Sequence, residues 1–176
     1  MHIRVDKDPD IRHLTLKRNN YFPNSTLPVL LYKQVLDLPL QINKAAEIIR
    51  DIFTHHRWSN TWKDGIYDYH HYHSNAHECM GIANRAAMVI LGGPGGKKIT
   101  LSRGDVLILP AGIGHKCISA TKNFVCVGAY PNGKEFNINT GSLEEYKKAM
   151  LQLRKLPVPS YDPVFGKENI LKEYWI

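Results

Sequence analysis

The stretch Tyr69-His70-His71-Tyr72-His73-Ser74-Asn75-Ala76-His77-Glu78 places four histidines and one carboxylate within ten residues. Side chains alternate between the two faces of an extended strand, so His71 and His73 are expected on the same face. Two imidazoles on one face are the beginning of a divalent metal site, because neutral imidazole suits Zn, Cu, Fe and Ni. A lone pair of histidines is more often structural, so this interpretation needs further ligands elsewhere in the chain.

A second segment supplies such a ligand. The run Gly104-Asp105-Val106-Leu107-Ile108-Leu109-Pro110-Ala111-Gly112-Ile113-Gly114-His115 ends on a histidine. Its apolar centre predicts a buried strand, and the Pro and Gly residues that follow predict a turn. We expect a β scaffold to bring His115 to His71 and His73, and two spaced motifs together favour a binding site.

The side to which Glu78 points depends on the residues before it. If a strand over 66–73 continued unbroken, His77 would join the two histidines and Glu78 would face away. If Ser74-Asn75-Ala76 forms a turn or bulge, the register shifts by one and Glu78 joins them. Ser and Asn are good turn formers, which favours the turn. Periodicity alone leaves open whether His77 replaces or supplements Glu78 as a ligand.

The rest of the pattern predicts a β scaffold with two helices. From Gly65 to about Tyr130 the apolar residues recur as in short strands, which is typical of a sandwich or barrel. Leu27–Tyr32 predicts an earlier strand, and 58–62 predicts a loop that carries two tryptophans. One helix is predicted over 44–53 with Asn43 as its cap, and a second follows a capping box that begins at Ser142.

Composition suits one folded domain: 176 residues, of which 43% are apolar and 22% are charged. The net charge of +7 comes from scattered Lys and Arg without a nucleic-acid-binding motif, so no nucleic-acid partner is expected. No apolar run is long enough to cross a bilayer, and residues 1–6 lack a signal-peptide pattern, which predicts a cytoplasmic protein without a membrane partner. Three cysteines without metal-binding spacing suit a reducing compartment.

The two motifs resemble those of the cupins. His71-x-His73-x4-Glu78 is similar to the first cupin motif, and Gly104-x5-Pro110-x-Gly112-x2-His115 is similar to the second. The resemblance implies a double-stranded β-helix, also called a jelly-roll barrel, that holds one divalent transition metal (Fe, Mn, Ni or Zn) on His71, His73, Glu78 and His115. The first motif normally ends with Gly, whereas Arg85 stands there, and Asn84 is expected to supply the left-handed turn.

The similarity is greater still to the YjlB-like cupins, an uncharacterised bacterial branch. It rests on 62–67 running into His70–His73, on the hairpin Gly92–Gly96, on 127–131, and on 162–166 with a late Trp175. It implies a single mainly β cupin domain over 1–176 with two flanking α-helices. Its expected parts are a barrel core over about 65–131, N-terminal strands and a helix over 1–62, and a helix with an extended tail over 140–176.

Several other side chains are expected near the metal. Tyr67 and Tyr69 share the parity of His71 and His73, so both are predicted to face the barrel interior as pocket residues. By the same rule, Met80 and Ile82 should form an apolar wall beside Glu78, and Cys117 and Ser119 should point inward from the strand that begins at His115.

The resemblance implies a fold and a metal but no substrate. A metal with open coordination positions can act as a Lewis acid, activate water or bind dioxygen. The leading hypothesis is a metal-dependent enzyme of oxygenase or isomerase type that acts on a small polar metabolite. The alternative is a non-catalytic cupin that binds or senses a small molecule, with a structural or ligand-anchoring metal. Edge strands of such barrels commonly pair between subunits, so a homodimer is expected through the N-terminal strands and the proline-rich tail.

Overall fold

The structure is a computed structural model that describes residues 5–176. The expectation about residues 1–6 therefore lies partly outside the described range. Within that range the chain forms nine strands and three helices. They are β1 (Asp10–Leu16), β2 (Ser25–Lys33), α1 (Ile42–His55), β3 (Trp58–Asp64), β4 (Glu78–Asn84), β5 (Ala86–Leu91), β6 (Lys97–Ser102), β7 (Val106–Leu109), β8 (His115–Ala120), β9 (Val125–Pro131), α2 (Leu143–Leu153) and α3 (Leu171–Tyr174).

Two antiparallel sheets form the barrel. One has six strands in the order β1-β2-β7-β4-β9-β3, and the other has three in the order β6-β5-β8. Leu31 and Met80 of the larger sheet share one apolar core with Val89 and Leu101 of the smaller sheet. The two sheets therefore pack face to face, which confirms the predicted mainly β, jelly-roll architecture. Strands from outside 65–131 take part, because β2 pairs with β7 and β3 pairs with β9.

A second apolar core covers the other face of the six-stranded sheet. It contains Ile49 and Phe53 of α1 together with Trp175 near the end of the chain. Strand β7 contributes to both cores, which explains why all four of its residues are apolar and buried. Burial of a side chain of this size contributes roughly 1.5–3 kcal/mol, so this strand is anchored from both sides.

The turn before β7 is organised by Asp105. Its buried carboxylate accepts hydrogen bonds from the Lys33 ammonium at 2.6 Å and from the backbone N–H groups of Gln34 and Ser102 at 2.8 Å each. A buried carboxylate with three donors is satisfied, and it ties β2, β6 and β7 together. The start of the second motif is therefore a structural joint.

Two local predictions near α1 are wrong. The helix begins at Ile42 after Gln41, whose side chain makes no capping bond, while Asn43 accepts a hydrogen bond from Lys63 at 3.3 Å. Residues 58–62 belong to β3 and pair with β9 instead of forming a loop. The register of this pairing shifts between Ser59 and Trp62. This irregularity breaks the alternation by which a strand is recognised in sequence.

The predicted strand over 66–73 is not a regular strand. Its pairing is limited to isolated bridges, from His71 to His115 and from Tyr72 to Asn139. His71 and His115 exchange both backbone hydrogen bonds, at 3.2 and 2.8 Å. The extended segment thus pairs with residue His115 on one side and with Asn139 on the other, each through a single bridge. Alternation in the sequence does not distinguish such a segment from a continuous strand.

Two predictions about backbone turns and side-chain facing are also wrong. Arg85 itself adopts the left-handed conformation, with φ of 62°, whereas Asn84 ends β4 and donates its amide to the Asn123 carbonyl at 2.7 Å. Ser119 is exposed although Cys117 is buried. The pairing of β8 with β5 shifts register between these two residues, and the inward and outward alternation ends there, since Ile118, Ser119 and Ala120 are all exposed.

The C-terminal strap, residues 156–175, packs on the second apolar core, the one that contains Ile49 and Phe53. Helix α2 has the predicted capping box between Ser142 and Glu145. Asp162, fully buried, accepts hydrogen bonds from the Tyr32 hydroxyl at 2.6 Å and from the next turn of backbone. The Trp175 indole donates to the Pro28 carbonyl at 2.8 Å. Trp175 directly follows the one-turn helix α3, a helix that was not predicted from the sequence. No helix among residues 5–176 combines the length and the apolar character needed to cross a bilayer.

Candidate metal centre

Three buried histidine rings converge at one end of the barrel. His71 and His73 lie on the extended crossing segment, and His115 is the first residue of β8. Their exposed fractions are 2%, 4% and 3%, and one ring nitrogen of each lies within 4.8 Å of the others. The backbone bridge between His71 and His115 sets the spacing between the two motifs, and it brings their ring centroids to 4.0 Å.

All three histidines present Nε2 to the cluster, because the other ring nitrogen of each, Nδ1, is hydrogen-bonded to a backbone carbonyl. The Nδ1 atom of His71 contacts the Tyr69 carbonyl at 3.0 Å, that of His115 contacts the Ile113 carbonyl at 2.9 Å, and that of His73 contacts the Asn137 carbonyl. A carbonyl accepts and never donates, so each Nδ1 carries the hydrogen. Each Nε2 is therefore the atom available to bind a cation, and backbone hydrogen bonds orient all three rings for that purpose.

Glu78, the first residue of β4, joins the histidines. Its Oε2 atom lies 3.1 Å from His73 Nε2 and 3.4 Å from His115 Nε2, and the side chain is 4% exposed. The chain bends at Ser74 and Asn75, as the turn alternative required. That Glu78 acts as a metal ligand stays a prediction.

The other oxygen of Glu78 is held by a pair of aromatic side chains. The Tyr130 hydroxyl donates to Oε1 at 2.8 Å, and the Trp62 indole N–H donates to that hydroxyl at 2.9 Å. Gly128 leaves room for this arrangement, because a Cβ atom there would lie 2.1 Å from the Trp62 ring. Sequence reasoning missed Tyr130 and the role of Trp62, since their approach to Glu78 is created by the β4–β9 and β3–β9 pairings.

Asn137 fixes the bend between the histidines and Glu78. Its side-chain oxygen accepts from the Ser74 N–H at 2.8 Å, and its own N–H donates to the Asn75 side chain at 2.9 Å. The carbonyl of Asn137 also accepts from the His73 ring, so Asn137 binds three consecutive residues of the first motif, His73, Ser74 and Asn75. Its sequence setting carries no periodic signal that would have identified it.

Burial and mutual contact set the charges of the cluster. Burial, followed by the neighbouring His115, lowers the pKa of His71 to about 3, so this ring is neutral near pH 7. Burial alone would raise the pKa of Glu78, but His73 and hydrogen bonds from His115 and His73 hold it well below its usual range. Burial likewise opposes a charge on His73, yet Glu78 raises the pKa of that ring. The two groups thus favour a hydrogen-bonded ion pair, in which a divalent cation would take the place of the proton on His73.

His77 is buried to the same degree but is fully engaged elsewhere. Its Nδ1 atom accepts from the Ala111 N–H at 2.9 Å, and its Nε2 atom donates to the Pro157 carbonyl at 3.2 Å. Its ring lies 4.9 Å from that of Trp175, and burial lowers its pKa to about 4. His77 therefore links the second motif to the C-terminal strap and has no free nitrogen for a metal.

A cavity of about 190 Å³ leads from the cluster to the surface. Tyr67 lines it and is 50% exposed, so the cavity opens where that ring lies. Tyr69 stacks on Tyr67 at 5.1 Å but does not line the cavity. Met80 forms part of the wall, whereas Ile82 and Cys117 do not reach it. The other lining residues are Trp62, Ile66, Tyr67, Met80, Tyr130 and Phe136, together with Thr61 and the exposed residues Asn60, Asp64 and Gly65.

Comparison with known proteins gives one clear relative. The chain is 36% identical over 149 residues to the uncharacterised protein YjlB of Bacillus subtilis strain 168, which covers 85% of this chain and 86% of the relative. No protein-family model matches the chain.

Solved structures resemble the chain much more loosely. A cadmium-bound acireductone dioxygenase from Bacillus anthracis aligns over 54% of this chain and 63% of its own, with 13% identity and a TM-score of 0.37. A 3,4-ketoisomerase from Helicobacter canadensis aligns over 84% of this chain and 100% of its own, with 14% identity and a TM-score of 0.37. Similarities at this level carry no information about the reaction.

Proposed function

The chain belongs to the YjlB family of cupins, and on that premise we propose that it is a metal-dependent enzyme of oxygenase or isomerase type. The observation that carries the proposal is the convergence of three oriented Nε2 atoms and one carboxylate at the inner end of an open cavity. Three imidazoles and a carboxylate fit one divalent transition metal ion, with Fe, Mn, Ni and Zn as the candidates. His71, His73, His115 and Glu78 would hold it.

When bound, such an ion would supply a Lewis acid or a centre for dioxygen. The chain's own residues prepare the surroundings. Tyr130 orients the Glu78 carboxylate, and Trp62 orients Tyr130, so the anionic ligand is fixed before a cation arrives. Met80 and Phe136 exclude water from the inner end, and Tyr67 stands at the opening through which a small oxygenated metabolite would enter.

A non-catalytic binding or sensing role is the second candidate. Among the described residues that line the cavity, the titratable groups other than the four proposed ligands are Asp64, Tyr67 and Tyr130. The Tyr130 hydroxyl is engaged by Glu78, and burial, together with the charge of Glu78, raises its pKa far above the neutral range. An acid–base step by that hydroxyl is therefore disfavoured, which suits a protein that holds its ligand unchanged.

The test that separates the two roles is turnover by protein of known metal content. Iron-loaded, manganese-loaded, nickel-loaded and zinc-loaded protein would be incubated with a panel of small oxygenated compounds, with and without dioxygen, and the products read by mass spectrometry. An enzyme converts at least one compound, and the His71→Ala, His115→Ala double variant does not. Ligand binding without conversion in every metal form would favour the binding role.

We also propose that the protein forms a homodimer. Strand β1 is the edge of the six-stranded sheet and presents unpaired backbone groups. The tail contributes Val158 and Trp175 to the core of its own chain, so β1 is the part that supports pairing. Light scattering at micromolar concentration should give twice the mass of the chain, and a monomer would contradict the proposal.

A further inference from the structure

The charge of the cavity differs from that of the protein as a whole. The chain carries 23 Lys and Arg and a net charge of +7, yet none of the described residues that line the cavity is Lys or Arg. With a metal in place of the proton on His73, the charged side chains of the lining would be the carboxylates Glu78 and Asp64. The metal would therefore be the one source of positive charge for a bound compound at this lining.

This distribution restricts where a bound compound can be charged. Oxygen atoms at its inner end can bind the metal, which stabilises their negative charge. A second anionic group further out would approach the exposed carboxylate of Asp64 with no Lys or Arg of the lining beside it, and such a juxtaposition of like charges is disfavoured. The cavity thus disfavours compounds that carry a phosphate or carboxylate at the end remote from the metal.

The walls favour a flat, apolar body between those two ends. The rings of Tyr130 and Phe136 stack with centroids 4.6 Å apart, and Phe136 also lies 4.9 Å from the His73 ring. Trp62 and Tyr67 add two more aromatic surfaces, and Met80 supplies a polarisable side chain. Aromatic rings gain most from stacked or edge-to-face contact with another ring, and Met sulfur also contacts ring edges favourably.

The volume sets the size of this body. An apolar cavity of about 150 Å³ holds one benzene molecule, whereas pockets for drug-sized ligands begin near ~300 Å³. At about 190 Å³, the cavity accommodates one ring with a small number of substituent atoms. Tyr67 then lies over the outer edge of that ring, where the cavity opens.

We infer that the site takes a compound of about one planar ring, with oxygen at its metal-binding end and no anionic group at its remote end. The inference rests on the proposed metal site and narrows its substrate class. It confines the polar part of the expected metabolite to the inner end of the cavity.

The test compares three related probes on zinc-loaded protein of measured zinc content. Zinc is redox-inactive, so binding can be followed by calorimetry without turnover. The probes are catechol, 3,4-dihydroxybenzamide and 3,4-dihydroxybenzoate, and the last two match in shape but differ by a remote negative charge. We expect catechol and the benzamide to bind, and the benzamide to bind at least tenfold more tightly than the benzoate. The His71→Ala, His115→Ala variant should bind none of them.

Two matched variants locate the ring. Tyr67→Ala should weaken catechol binding at least threefold, because Tyr67 lines the cavity. Tyr69→Ala, which removes the stacked neighbour outside the cavity, should change it less than twofold. Asp64→Asn removes the outer negative charge but keeps an oxygen that can accept from the Gly65 N–H, and it should reduce the preference for the benzamide over the benzoate.

The outcomes separate the inference from the proposed function. If zinc is retained but the benzoate binds as tightly as the benzamide, or none of the probes binds, the inference is overturned and the metal site stands. If wild-type protein holds no zinc, manganese, nickel or iron, the proposed function fails and the inference fails with it.

Discussion

The histidine cluster and the region around His77 are equally buried but differ in what their nitrogens do. In the cluster, a backbone carbonyl engages each Nδ1, whereas the Nε2 atoms face one another and Glu78, whose Oε2 lies 3.1 Å from His73 Nε2. At His77, both nitrogens are bound to the backbone: Nδ1 accepts from the Ala111 N–H, and Nε2 donates to the Pro157 carbonyl. The first arrangement prepares a ring to bind a cation, and the second uses the ring to join two parts of the fold. The partner of Nε2, which is another member of the cluster or a backbone carbonyl, therefore distinguishes a candidate ligand from a structural histidine better than burial does.

The largest effect that would separate the two regions is on metal affinity. His73→Ala should lower the affinity for zinc at least 100-fold, because it removes a ligand instead of a supporting group, whose loss typically costs about 10–100-fold. His77→Ala should change the affinity less than threefold. Competition with a chromogenic chelator measures both values, and a comparable loss in the two variants would erase the distinction.

The next effect is on stability and runs the other way. His77→Ala should lower the free energy of unfolding by about 1–3 kcal/mol, because the Ala111 N–H and the Pro157 carbonyl lose their buried partner. His55→Ala, at an exposed position at the end of α1, is the control and should change it by less than about 0.5 kcal/mol. Urea denaturation of the metal-free proteins measures both, and equal stabilities would contradict the role given to His77.

A smaller effect tests how Glu78 is held. Tyr130→Phe removes the hydroxyl that donates to Oε1 and should lower zinc affinity about 10-fold while preserving the fold. Unchanged affinity, with circular dichroism matching the wild type, would mean that the carboxylate needs no such support.

The smallest effect provides the matched control for that variant. Tyr72 is also fully buried, but its hydroxyl has no hydrogen-bond partner among the described residues. Tyr72→Phe should therefore leave zinc affinity unchanged and shift the free energy of unfolding by less than about 0.5 kcal/mol. A loss as large as that of Tyr130→Phe would show that removing any tyrosine hydroxyl near the site disturbs it.

The sequence was sufficient for the parts of the site that lie within its two motifs. The resemblance of these two motifs to those of cupins implied the four candidate ligands, and the apolar run at β7 indicated a buried strand, which lies beside the strand that carries Glu78. The sequence left open whether Glu78 points toward the histidines. That direction depends on the bend at Ser74 and Asn75, which is fixed by hydrogen bonds from Asn137, about 60 residues away.

Long-range pairing explains what the sequence left open or placed wrongly. His77 has its partner at Pro157, and Glu78 has its partner at Tyr130, and neither separation leaves a periodic trace in sequence. The alternation over 66–73 placed Tyr69 in the cavity, but the segment pairs through isolated bridges and Tyr69 lies outside the lining. The odd or even position of a residue predicts the face to which its side chain points only where the strand keeps one pairing register.

The most direct test of the metal centre is elemental analysis of untagged protein purified without oxygen, beside the His71→Ala, His115→Ala double variant. We predict about one transition metal ion per chain in the wild-type protein and none in the variant, as expected for a site built from these two motifs. Iron in the wild type would direct assays toward dioxygen uptake, and manganese, nickel or zinc toward isomerase substrates. Wild-type protein that holds no metal, even after reconstitution, would contradict the account.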